Sequence, residues 1–369
     1  MGLIRVLAHL AVNSTRVLIV EAPGHWLTRV ELEQQMALRG WRAAWTPANA
    51  DVLAVCGVPG PELAELAERL WEQMPGPRAR ADVLSPIAVG DALDAAATLL
   101  LDIPHQRMDA QARVREPQIP DDHGQMDDGE HEGMDHGDHG GMDMAPAGIA
   151  LAEGGQDRDG LEMDVLHLPL GPVLPFWPAG LVLLCSLQGD VVVDAVASVV
   201  DGAGQAASSK EPQTPPVPAS AVRCDGVMAL LALAGADDAA ARARRARDAL
   251  VRGDQGAARD AVERLHRTIL RSWMLRWSLR GVLVLDQSDL ARHDLPEVCR
   301  GDAHDRLSSM VEALRTEIGG AGVVSAVTGT VPWEAVPQLV VGLELATARL
   351  AVASLGLEPF TLAQGVGHA

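Results

Sequence analysis

The chain has 369 residues, 48% of them hydrophobic and 22% charged, which is ordinary globular composition with room for a sizeable core and two or three domains. Its 30 Lys and Arg against 50 Asp and Glu leave a formal charge of −20, and that balance argues against a nucleic-acid binder. Four widely spaced cysteines, Cys56, Cys185, Cys224 and Cys299, form no CxxC, so neither a disulfide framework nor a local zinc site is written here.

From the N-terminus, MGLIRVLAHLAVNSTRVLIV carries a basic residue and a short apolar run. It lacks a small-x-small cleavage site and runs straight into a strand, so a secretory signal is not the favoured reading, and the scattered cysteines leave a reduced, cytoplasmic setting as the expectation. Residues 1–101 then alternate strand and helix signals. Arg16–Val20 reads as a buried strand ended by Pro23-Gly24, and 27–39 as an amphipathic helix stopped by Gly40. Asp51–Cys56 is a second strand, and Gly57-Val58-Pro59-Gly60 turns it into a helix over 61–74 with Pro61 in its first turn. A third strand near 81–84 and an alanine-rich helix over 91–102 complete an α/β pattern with a parallel sheet.

Residues 102–160 break the pattern. Between Asp121 and Met144 lie nine Asp or Glu, four His, four Met and no Lys or Arg, the composition of a solvated, disordered linker. The ligand types there are His123, Met126, His131, Met134, His136, His139, Met142 and Met144. Imidazole suits copper and nickel, and thioether sulfur suits Cu(I), so the segment is a candidate copper or nickel binder as well as a plain acidic linker.

Residues 161–369 read as an α+β domain. A β-hairpin turns near Gln188-Gly189-Asp190, a second linker covers 208–220, and helices follow over 226–250 (broken at Gly235), 254–278 (N-capped by Asp254), 302–318 and 335–355. The stretch 335–355 is interrupted by Pro337, Glu344 and Arg349, short of the about 20 uncharged apolar residues that a membrane span needs. Arg264, Arg267 and Arg271 share one helical face and lead into Trp273, Arg276, Trp277 and Arg280. Such a helix suits a membrane surface or an acidic partner; the favoured reading pairs the arginines with this chain's own carboxylates. The Gly57–Gly60 turn is offered as a phosphate cradle only weakly, and a plain strand-to-helix turn is favoured. His167, His266, His293, His304, Asp302 and Asp305 make no catalytic constellation by spacing, so no catalytic residue is assigned.

Four segments carry a resemblance. ADVLAVCGVPGPELAELAERLWEQMPGP (50–77) resembles the small, cluster-bearing subunit of NADH–quinone oxidoreductase (respiratory complex I), most sharply at Glu72-Gln73-Met74-Pro75. LGPVLPFWPAGLVLLCSLQGDVV (170–192), RWSLRGVLVL (276–285) and CRGDAHDRLSSMVEALRTEI (299–318) resemble, in order, parts of that complex's large subunit and of the related NiFe-hydrogenase large subunit.

The resemblance implies a flavodoxin-like α/β domain (1–101) joined by the 102–160 linker to a hydrogenase large-subunit-like domain (161–369). It also implies what this chain departs from. The family's cluster-binding cysteines correspond to the loop Glu21–Trp26, which has none, and its quinone-site histidines correspond to Leu174–Ala179, which has none either. The nickel-binding CxxC pairs are missing, and Asp305-Arg306 match the family but read as structural.

The expectation is a divergent subunit or assembly partner of a membrane-associated electron-transfer complex, without an iron–sulfur cluster and without a transmembrane segment of its own. It would be cytoplasmic or peripheral at the cytoplasmic membrane. The alternatives are a copper- or nickel-binding protein acting through 123–144, and an oxidoreductase subunit whose redox groups come from a partner.

Overall fold

The computed structural model describes residues 12, 14–113, 153–156, 162–201, 217–319 and 331–357. The eight Met and His candidates between 123 and 144 lie outside these residues.

Strands β1 (Arg16–Glu21), β2 (Arg42–Ala43), β3 (Val52–Cys56) and β4 (Ala79–Val83) form a parallel sheet in the order β2-β1-β3-β4. Helices α1 (Trp26–Arg39), α2 (Pro61–Gln73) and α3 (Val89–Leu101) alternate with them. Every residue of β3 is buried because both sheet faces are covered, as parallel sheets require. Val52, Ala54 and Cys56 face a core with Leu32, Met36 and Leu93, while Leu53 and Val55 face one with Leu63, Ala67 and Met74.

Chain assigned by composition to the linker begins instead with a helix, α4 (Ile103–Ala112), capped by Asp102 accepting from the His105 N–H. It buries no residue, so it lacks the apolar stripe that reveals a helix in sequence. Polar ties hold it in place: the nearly buried Arg78 meets Asp109 through two hydrogen bonds of 2.9 and 3.0 Å and lies over the Trp71 ring. Gln106 bonds to both backbone groups of Arg78.

The hairpin expected in the second half is part of a four-stranded antiparallel sheet: β5 (Glu153–Gln156), β6 (Glu162–Leu170), β7 (Leu181–Gln188) and β8 (Val191–Val199), in sequence order. Alternate residues Leu181, Leu183, Cys185 and Leu187 turn inward, the period-two signature of a one-sided sheet. Beside it stands a helix bundle, α5 (Ala219–Leu233), α6 (Asp237–Val251), α7 (Gln255–Arg271) and α10 (Ala303–Gly319).

Two of the expected helices are each a pair. The span 254–278 breaks at Ser272, which ends α7 and caps α8 (Trp273–Leu279) by accepting from the Leu275 N–H. The span 335–355 breaks at Gly342 into α11 (Val336–Val340) and α12 (Leu345–Ser354). The intervening backbone bonds back to the β7–β8 turn, Val192 N–H to Leu343 O at 2.9 Å and Leu345 N–H to Asp190 O at 2.8 Å. A short helix, α9 (Gln287–Arg292), lies between α8 and α10. Gly281–Leu285 is a turn whose Leu285 makes a single bridge to Gly301. Among the described residues no helix is long and apolar enough to cross a membrane.

Candidate functional site at the domain junction

In a parallel sheet ordered 2-1-3-4 the order of strand addition reverses between β1 and β3, and sheets of this kind commonly place ligands beyond the carboxyl ends of their strands. Here the second domain packs against the sheet on its β1–β2 side. The β6–β7 loop, residues 172–179, lies over it, with α5 and the end of α12 beside it. Together they enclose a cavity of about 380 Å³ whose walls include Glu21, Trp26, Trp45, Phe176, Met228 and Met310. The rings of Trp45 and Phe176 meet edge to face across the junction, 6.4 Å apart.

The polar wall is a cluster of ions spanning both domains. Arg29 on α1 bonds to Glu21 at the end of β1 (2.5 Å), to Glu33 one turn on (2.6 Å) and to Asp225 on α5 (2.5 Å). Arg247 on α6 is wholly buried and bonds to Asp225 (2.7 Å), Glu33 (2.8 Å) and Asp248 (2.8 Å). The Trp26 indole N–H donates to Asp225 at 2.9 Å. Burial acts to raise the Asp225 carboxyl, but Arg29 and Arg247 outweigh it and hold the group well below the usual carboxylate range. Glu33 is likewise held down against burial by Arg247 and Arg29.

Glu21 behaves in the opposite way. Burial pushes its carboxyl up, Arg29 opposes this, and the repulsion of Asp225 and Glu33 adds to it; one of its oxygens is buried without a hydrogen bond. A raised folded-state pKa gives stability that is present below the unfolded value, about 4.3, and is lost as the pH rises through the folded value. Glu21→Gln keeps an acceptor for Arg29 and removes the titration. It should therefore gain stability relative to the parent between pH 4 and pH 8 in melting curves taken across that range; a gap independent of pH would contradict this.

The turn offered as a phosphate cradle holds an anion of the chain's own. Asp201, just beyond β8, accepts from the Glu62 and Leu63 N–H groups at 3.1 and 3.2 Å, capping α2 from the second domain. A Cβ at Gly60 would overlap that carboxylate, and one at Gly180 would overlap the Pro23 ring, so glycine at both positions lets the domains approach closely. Asp201→Ala should cost about 1 kcal/mol by loss of the cap. Gly60→Ala should be harmful in the parent and nearly neutral in the Asp201→Ala background, as denaturant titrations of the double-mutant cycle would show.

The donor set present does not fit an iron–sulfur cluster. Cys56 packs in the parallel-sheet core, Cys224 in the bundle, and Cys185 and Cys299 in the core under the antiparallel sheet. Burial raises the thiol of Cys56, pushes Cys224 up to about 12, and pushes Cys185 and Cys299 up to about 11, away from the thiolate form that ligates iron.

The remaining candidate side chains are structural or isolated. Asp302 caps α10 and the preceding turn, accepting from the Gly281, His304 and Asp305 N–H groups, while Asp305 accepts from the Asp302 N–H. Ligand atoms of Asp302, His304 and Asp305 lie within 4.8 Å of one another, but both carboxylates are engaged by these backbone donors. His167 meets Ser186 at 3.0 Å on an exposed strand, and His266 lies 3.4 Å from Glu312.

Arg306, next to Asp305, is almost wholly buried. Its guanidinium donates to the carbonyls of Val282, Leu283, Cys299 and Gly301 and to the Ser354 hydroxyl, tying the loops before and after α9 to α12. Among the described residues no carboxylate pairs with it, and burial lowers its pKa to about 10.

Compared with protein-family models, with curated proteins and with solved structures, the chain finds no match.

Proposed function

We propose that the chain is a divergent relative of the paired hydrophilic subunits of complex I and NiFe hydrogenase, fused in one polypeptide and without their cofactors. It serves as a structural or assembly partner in a membrane-associated electron-transfer complex. The observation that carries this reading is the junction. Glu21 and Trp26, the ends of the loop that corresponds to the family's cluster site, and Leu174–Ala179, the loop that corresponds to its quinone site, come from different domains and line one crevice. That crevice lies against β1 and the end of β2, and its polar side carries the chain's own Glu21, Arg29, Glu33 and Asp225. Segments 276–285 and 299–318 are joined by the Arg306 clamp, in keeping with a retained large-subunit-like framework.

The test is isolation of the tagged full chain from its native cell in mild detergent. Co-isolation with membrane-embedded and redox-active subunits is expected. A chain that comes away alone at every ionic strength overturns the reading.

A second reading rests on the eight Met and His residues of 123–144, which suit copper or nickel. It expects stoichiometric Cu(I) or Ni(II) uptake by the full chain and none after deletion of 121–144, followed by competition with a chromogenic chelator.

A further inference from the structure

Among the described residues Arg264, Arg267 and Arg271 of α7 do not pair with the chain's own carboxylates. The helix buries Ala258, Ala261, Val262, Leu265 and Ile269, which turns Arg264, Arg267 and Arg271 outward. Among the described residues none of these, nor Arg242, Arg276 or Arg280, forms an ion pair. The cluster's pairing falls to Arg29 and Arg247 instead. Arg242, Arg264, Arg267 and Arg271 surround one open depression, with Thr268 at its edge. From Arg264 to Leu285 the sequence holds no carboxylate, in a chain of net charge −20.

Next to this depression the chain leaves a row of large apolar side chains in solvent. Leu270 at the end of α7 and Trp273, Met274 and Trp277 on α8 are 57%, 74%, 62% and 77% exposed, and the last three share one face of α8. Leu275 and Leu279 hold the opposite side of α8 to the bundle, so the stripe is not displaced core.

We propose that the α7–α8 face docks on an anionic phospholipid surface, with the two tryptophans and their neighbours entering the headgroup boundary and the arginines taking the phosphates. Tryptophan is the side chain that favours this boundary, and unpaired guanidiniums beside an apolar stripe are what an interfacial helix uses to gain affinity for anionic lipid. The chain's overall negative charge does not prevent this, because screening beyond about 8 Å leaves the local arginines to set the interaction. The proposal stands on this face alone and is independent of the reading of the junction.

Flotation of the full chain with vesicles tests it. Binding is expected to phosphatidylcholine vesicles containing phosphatidylglycerol and not to phosphatidylcholine alone, and it should weaken with salt. At about fivefold per arginine, the triple variant R264Q/R267Q/R271Q should lower partitioning about a hundredfold. W273S/W277S should also abolish flotation while leaving the melting curve unchanged, since both side chains are exposed. Absence of binding to anionic vesicles, or variants that float like the parent, overturns the proposal. A chain that ignores vesicles but holds an acidic protein through these arginines overturns it as well, and gives the face to a protein partner.

Discussion

Asp225→Ala is expected to lower stability by about 3–5 kcal/mol, the cost of leaving buried guanidiniums short of a partner. Asp225, like Glu33, is bonded by both Arg29 and Arg247, and it alone of the two also accepts the Trp26 indole N–H. Its removal leaves Arg247, wholly buried, with only Glu33 and Asp248, and breaks the tie between α1 and α5. The pH dependence carries a sign that checks the mechanism. Asp225 and Glu33 have depressed folded-state pKa values, so their contribution is present above the unfolded values, about 4, and is lost as the pH falls through the folded ones. The gap between parent and variant in urea midpoint should therefore be widest near neutrality and close in acid. A gap that persists unchanged at pH 3 would mean the loss is one of packing and not of charge.

Arg306→Met is expected to cost about 3–5 kcal/mol, because it strands several buried carbonyls at about 1–3 kcal/mol for an unsatisfied group, with partial relief from local rearrangement. The four carbonyls come from Val282, Leu283, Cys299 and Gly301, and the Ser354 hydroxyl supplies the fifth acceptor. Arg306→Lys should recover only part of the loss, since a lysine keeps the charge but not the planar fork that reaches both sides of the loop. Ser354→Ala should cost about 1 kcal/mol. Thermal melts of the three variants rank the effects; a lysine variant as stable as the parent would show that charge and not the fork holds the loops.

Much of the first domain was legible in sequence because short apolar runs and amphipathic helices alternate cleanly from Arg16 to Leu101. The break of α5 from α6 at Gly235 and the Asp254 cap could be read from residue type alone. The breaks at Ser272 and Gly342 are hidden because the apolar spacing runs on past both; at Gly342 the backbone is turned by bonds to Asp190 and Val192, distant in sequence, and at Ser272 by a local cap inside a helical pattern. Helix α4 was missed because its ties are polar.

The ion cluster at the junction was overlooked although a signal existed. Asp225 falls on the buried stripe Ala221, Cys224, Met228 of α5, and Arg247 on the stripe Ala243, Ala246, Leu250 of α6. A charge at a core-facing position requires a partner, and those two positions predict each other. What spacing cannot supply is the third partner, Arg29, which arrives from 196 residues away.

Elemental analysis of the purified full chain, beside a variant lacking 121–144, tests the central claim most directly. If the junction is held by Glu21, Arg29, Glu33, Asp225 and Arg247 and has no place for the family's cofactors, neither protein should carry stoichiometric iron, and any copper or nickel should disappear with the deletion. Stoichiometric iron that survives the deletion would contradict the account and return redox chemistry to the crevice.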